Sequence, residues 1–313
     1  MNRFALPALL LASHAGAQAL PAFELPSNPL RPAAVAAPEP KLVVAHPVPV
    51  YDRSKLPSKT RKLAAEQRAA LLKDVDDPRV VRFAIPKTKA YVGRIVERLL
   101  ASSGLTAEAP EVRVNDSSWG SPSASLSAGV LFIDPELIAI MSSEDEVAAV
   151  AAHELVHHLR AHHEQLAETV RRHPRTGGGD MFTPSRPSKA ELDARWGHEC
   201  EADALSLRLL ANAGYDPAAA VDALIAVKRE TDAEPRHAFS RGRSDGSHPP
   251  LEVRVDYLKR VMAAEGLAFS PRTSAGLPEV YAELSGRRRS PKPEDAPASE
   301  LYQHYKRPKS FAP

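Results

Sequence analysis

One cysteine, Cys200, serves 313 residues. No disulfide can close within such a chain. An excess of charge of one sign is also lacking. Lys and Arg number 41 against 39 Asp and Glu, a formal net charge of +2. That balance gives no support for nucleic-acid binding. Long apolar runs are missing too. The longest, Phe4 to Ala12, is too short to span a bilayer, so no transmembrane helix is expected. No internal repeat is visible, which excludes an appended helical-repeat domain.

The same short apolar run carries an address. Arg3 precedes it, and Ala15-Gly16-Ala17 and Ala17-Gln18-Ala19 follow as small-residue cleavage sites. Residues 1–19 read as a secretory signal peptide, so the periplasm or the exterior is expected. No cysteine lies at the cleavage site to take a lipid anchor. Proline is plentiful, with 29 residues, and it collects at the two ends. Residues 20–58 read as a Pro-rich linker or strap. Residues 271–313 read as a Pro/Arg-rich tail, either solvated or in weak contact with anionic lipid heads through Arg287, Arg288 and Arg289. Residues 59–270 are left as one globular domain. The chain is 43% hydrophobic and 26% charged, enough for one core of moderate size.

Within that domain stands His153-Glu154-Leu155-Val156-His157. Two histidines one helical turn apart point the same way, so both rings can reach one metal ion. Glu154 beside them can act as the base for a water on that metal. Ser143 followed by Glu146 is a capping box that starts a helix where the motif needs one. Val147, Val150, Ala151 and Leu155 give it an apolar face. Farther on, Glu199-Cys200-Glu201-Ala202-Asp203 places Glu199 and Asp203 on one helical face. Glu199 can complete a His2Glu donor set, which favours zinc, one ion per chain. Asp203 can accept the other ring N–H of a ligating histidine. Cys200 itself reads as a packing residue.

The order of these blocks resembles the HtpX-type zinc metallopeptidases, a gluzincin group. It runs from a β-like segment at 128–134 through an acid-capped helix from Glu144, His-Glu-Leu-Val-His, a histidine at His162 and Glu-Cys-Glu-Ala-Asp to Ala213-Gly214-Tyr215-Asp216-Pro217. It ends at Ser247-His248-Pro249-Pro250. The group includes the CAAX prenyl endopeptidases and soluble periplasmic members that combine protease and chaperone roles. The resemblance covers roughly 85–265. It implies an α+β, predominantly helical fold with a small β-sheet before the HExxH helix. It implies His153, His157 and Glu199 as zinc ligands, Glu154 as general base and Asp203 as the residue that steadies a ligating histidine. His248 matches the histidine of the Ser-His-Pro segment. It either stabilises the oxyanion or binds the metal in a latent form; a plain helix-entry turn is the other reading. The implied activity is endoproteolysis of unfolded or misassembled envelope proteins, the alternative being a latent metal-bound chaperone or assembly factor. The oligomeric state stays open.

The chain departs from the group at Val156, where HExGH is usual, and at Ser121 to Gly129, on the substrate side. Arg160 lies one position before the group's arginine. His163, ten residues after His153, has the spacing of a metzincin third ligand. That pattern needs a glycine where Arg160 stands, and arginine is expected to continue the helix. His158, His162, His163 and His173 are then solvated, or lie behind the ligands. Periodicity predicts a helix ending near Gly104, strands at 110–115 and 128–133, and helices near 144–163, 191–212, 217–229 and 250–265. The strand at 128–133 is expected to present an edge to an extended peptide. The loop around 173–190 is either a lid or a plain surface insertion.

Overall fold

The computed structural model describes residues 45–77, 84–115, 123–176, 186–233, 248–267, 272 and 276–285. The signal peptide, residues 20–44 of the linker, positions 177–185 of the loop and residues 286–313 of the tail lie outside them.

Helices dominate the described residues. In chain order the elements are α1 (Ser58–Val75), α2 (Pro86–Ala101), β1 (Glu111–Val114), β2 (Ala124–Ser127), β3 (Val130–Ile133) and α3 (Pro135–Ile140). Then come α4 (Glu144–Leu159), α5 (His162–Arg172), α6 (Lys189–Asn212), α7 (Ala219–Ala233), α8 (Leu251–Glu265) and α9 (Leu277–Ser285). No helix among the described residues is long and apolar enough to cross a membrane.

The small sheet has the order β1-β3-β2, with β3 parallel to β1 and antiparallel to β2. The edges are therefore β1 and β2, and β2 is the one that packs on α4. The strand expected to present an edge, at 128–133, is the central one and has a partner on each side. A two-residue turn makes the difference. Ala128 and Gly129 both take positive φ, 47° and 74°, the backbone that closes a tight hairpin. The polar Ser-rich stretch before the turn thus becomes a strand by pairing with β3, not by its own propensity.

α4 is the centre of the molecule. The Ser143 hydroxyl accepts the Glu146 N–H at 3.3 Å, and Glu144, Asp145 and Glu146 place carboxylates in the first turn. Negative charge there suits the helix dipole. Val147, Ala151, Leu155, Val156 and Leu159 are all buried, and α4 packs on α2, α6, α7 and β2. Burying one such large aliphatic side chain stabilises the fold by about 1.5–3 kcal/mol.

The helix does not continue through Arg160, as its residue type suggests it should. α4 stops at Leu159, Ala161 is left-handed at φ 54°, and α5 begins anew at His162. The stop is held from outside the helix. The Tyr51 N–H donates to the Leu159 carbonyl at 2.8 Å, and the Arg53 guanidinium donates to the His158 carbonyl. Gln165 Nε2 donates to the Arg160 carbonyl at 2.6 Å. These donors satisfy carbonyls that a helix end leaves bare.

α6 begins at a Ser188 cap whose hydroxyl accepts the Glu191 N–H at 3.1 Å. Glu191 is fully buried between Arg175 and Arg195, which ties both sides of the 173–190 loop to one carboxylate. Helices α1, α3 and α9 have no counterpart in the sequence expectations. α9 falls in the segment read as a tail, yet Leu277, Val280 and Leu284 are buried. In α1 only Thr60 is buried, so it carries no apolar stripe to reveal it.

Candidate metal centre

Three side chains converge between α4 and α6. His153 and His157 lie one turn apart on α4, and their Nε2 atoms stand 3.1 Å apart. Glu199, on α6, brings Oε2 to 3.4 Å from His153 Nε2 and Oε1 to 3.5 Å from His157 Nε2. Tetrahedral zinc with bonds of about 2.0–2.2 Å sets its donors about 3.3–3.6 Å apart. The two edges to Glu199 fall in that range, and the edge between the histidines, at 3.1 Å, is slightly shorter. Glu199 Oε2 is buried and has no hydrogen-bond partner, although burying a carboxylate oxygen unsatisfied is costly. A cation among the three donors would satisfy it. The residues present therefore fit a divalent metal.

Behind His153 the support is ionic. His153 Nδ1 lies 3.1 Å from Asp203 Oδ1. Asp203 is in turn gripped by Arg254 of α8, with Nε at 2.8 Å and Nη2 at 2.6 Å. Arg254 Nη1 also stands 3.6 Å from Glu199 Oε2. Burial works to raise the Asp203 pKa, but Arg254 and His153 outweigh it and hold the group ionised. Burial likewise opposes a proton on His153, yet the neighbouring carboxylates of Asp203 and Glu199 lift it to about 10. His157 has no carboxylate at its Nδ1, and burial carries it well below the ordinary range.

Glu154 is the residue between the donors and the open side. It lines two cavities that also share His153 and His248. Burial raises its pKa above the ordinary carboxylate value, while His153 and the nearby Leu126 N–H pull the other way. A carboxylate with raised proton affinity beside a metal is suited to general-base work. One cavity, of about 240 Å³, is walled by Leu137, Ala149, Ala223, Leu224, Val227 and Leu258. The other, of about 350 Å³, is the more polar of the two and carries His162, His163, Arg195 and His198.

His248 sits at the rim of both. Its side chain is 57% exposed and its Nε2 is 3.6 Å from Glu199 Oε2. That places it beside the donors without joining the triangle. His163 lies on the polar cavity's wall and not with the donors, so the metzincin set is not assembled. Cys200 is half-buried, and burial pushes its thiol pKa up.

Arg254 was invisible as a site residue from motif spacing alone. Its signal is positional. Arg254, Leu258 and Met262 are the buried residues of α8, so an arginine occupies the helix's apolar stripe. A charge there is rarely buried without a partner. His162 and Glu201 also gather at the centre, through contacts across the α4–α5 break.

Residues 86–174 match the family model described as Peptidase family M48. The matched segment holds His153, Glu154 and His157, and it stops before Glu199, Asp203, His248 and Arg254. No curated protein matches the chain.

Proposed function

We propose that this chain, whose residues 86–174 match the Peptidase family M48 model, is a zinc-dependent endopeptidase for unfolded or misassembled cell-envelope proteins. The observation that carries the reading is the His153, His157 and Glu199 triangle with Glu154 beside it. Zinc is the metal a His2Glu set favours, and the three side chains would hold it. When bound, it supplies Lewis acidity that polarises the scissile carbonyl and makes water a nucleophile near neutral pH. Glu154 takes a proton from the attacking water and delivers it to the leaving amine. Asp203, backed by Arg254, holds His153 in place through Nδ1.

The walls support the choice of substrate. Ser123 presents its carbonyl to Asp134 of the β3 side at 2.9 Å. By strand alternation Ala124 and Leu126 turn their backbone groups to the open edge. An extended peptide can add there as a further strand, which a compact protein cannot do. The apolar cavity beside Glu154 suits side chains that folding normally hides. The N-terminal address supports action in the periplasm or outside the cell, after removal of residues 1–19. A soluble HtpX-like type is the corresponding subtype.

A second reading has one observation in its favour. His248 Nε2 approaches the same carboxylate that the triangle uses. The Ser-His-Pro segment would then hold the site latent in a chaperone or assembly factor. Cleavage of casein by the purified chain and by Glu154→Gln decides between them. Cleavage by the first alone supports the peptidase. Inactivity of both, with His248→Ala becoming active, supports latency.

A further inference from the structure

Each metal-facing histidine presents Nε2 to the donor triangle, so its Nδ1 must be held from behind. For His153 that holder is Asp203. For His157 it is another imidazole. His162 Nδ1 lies 3.0 Å from His157 Nδ1. His162 Nε2 lies 2.9 Å from Glu201 Oε2, and Arg160 Nε donates to Glu201 Oε1 at 2.9 Å.

The protons along this series have one consistent arrangement. His157 can offer Nε2 to a cation only if its own proton sits on Nδ1. Two ring nitrogens 3.0 Å apart share a single proton, so His162 Nδ1 accepts. The His162 proton is then on Nε2, where the Glu201 carboxylate accepts it. Arg160 balances the charge of Glu201.

His162 is fixed for this task. It is 2% exposed, and its ring stacks on His198 with centroids 4.2 Å apart and planes 5° from parallel. An unbroken helix would carry residue 162 about 7.5 Å along the axis from residue 157 and about 140° around it. Its ring would then face away. The left-handed turn at Ala161 redirects the chain and returns the ring beneath His157. A left-handed alanine is strained, and strain of this kind persists where surrounding structure needs the geometry.

We infer that His162 and Glu201 are positioning residues that hold His157 with Nε2 open to the metal, as Asp203 and Arg254 do for His153. The inference rests on the donor triangle of the proposed function. Zinc affinity by chelator competition, together with the visible spectrum of the Co(II)-loaded protein, tests it without reference to turnover. His162→Phe keeps a planar ring but offers no acceptor. Its zinc affinity is expected to fall 10–100-fold, with an altered cobalt spectrum. His162→Gln offers an amide oxygen and restores most of the affinity. Glu201→Ala is the second variant, on a partly exposed side chain whose loss leaves the core intact, and a loss of about tenfold is expected. Zinc affinity within threefold of wild type in a folded His162→Phe overturns the inference. So does unchanged affinity in Glu201→Ala, should His162→Phe not fold. Failure of the wild-type chain to bind zinc overturns the donor triangle itself, and this inference with it.

Discussion

The backbone N–H of Leu126, on the open edge of β2, lies near the carboxylate of Glu154 and lowers its proton affinity. The proposed base is thus tied to the strand that would receive the substrate. Peptide addition to the edge and proton transfer at the metal share one hydrogen-bonding neighbourhood. Replacing Leu126 by proline removes that donor while leaving the β3-facing bonds of Ser125 in place, since proline is tolerated on a sheet edge. Casein cleavage is expected to fall about tenfold, equivalent to about 1.4 kcal/mol of lost interaction. Unchanged zinc content in the variant places the defect in catalysis.

Removal of metal should act on stability as well as on cleavage. A ligand that binds the native state alone stabilises it by mass action, by about 2.7 kcal/mol at a hundredfold excess over Kd. Added zinc should therefore raise the Tm of the chelator-treated protein. Glu199→Ala should lose most of that shift, because one vertex of the triangle is gone. A zinc-independent Tm in the wild type would count against the centre.

Arg254 and Asp203 form a buried, two-pronged pair. Removing one partner strands the other charge. Arg254→Met is expected to destabilise the fold by about 3–5 kcal/mol. The double change Arg254→Met with Asp203→Asn should be milder than the single one. Urea unfolding of the three proteins measures both.

Glu168 accepts from Thr60, Arg171 and Arg172. The Arg171 bond, with Arg172 and Thr60 behind it, outweighs burial and brings its pKa down to about 2 from 4.5. A depressed carboxylate contributes stability above its unfolded pKa and loses it as pH falls toward the folded one. The contribution is thus intact above pH 4.5 and gone near pH 2. Glu168→Gln should be less stable than wild type at neutral pH, and the gap should close across that window. Thermal melts at several pH values would show it.

Ala161 holds φ 54° while fully buried. Glycine takes this backbone freely, so Ala161→Gly is expected to stabilise the fold by about 1 kcal/mol. Tm and urea midpoint read the gain directly.

Helical spacing alone puts His153 beside His157 and Glu199 beside Asp203, and the resemblance to a known order of motifs joined the two pairs into a triangle. The capping pair Ser143 and Glu146 fixed the start of α4 in the same local terms. The rest depends on contacts distant in sequence. β2 is a strand because β3 pairs with it. α4 ends at Leu159 because Tyr51 and Arg53 reach its carbonyls, and no residue near Arg160 announces that. His162 finds His157 only through the turn that this ending permits. Arg254 is recognisable in sequence only as a charge within an apolar stripe, and its partner lies fifty-one residues earlier.

The bonds from residues 46–53 also separate the smallest folding unit from the smallest working unit. His46 exchanges backbone bonds with the Asn212 side chain at 3.1 and 2.8 Å, and Arg208 reaches the Pro47 carbonyl at 3.0 Å. Pro49 lies under Arg160. A chain shortened to begin at Ser58 would keep every helix and strand described. It would still lose the clasp that closes the end of the histidine-bearing helix and braces the far end of α6. The amino-terminal border of the folded unit is therefore drawn by a segment whose own regular structure is a single 3-10 turn, Arg53–Lys55.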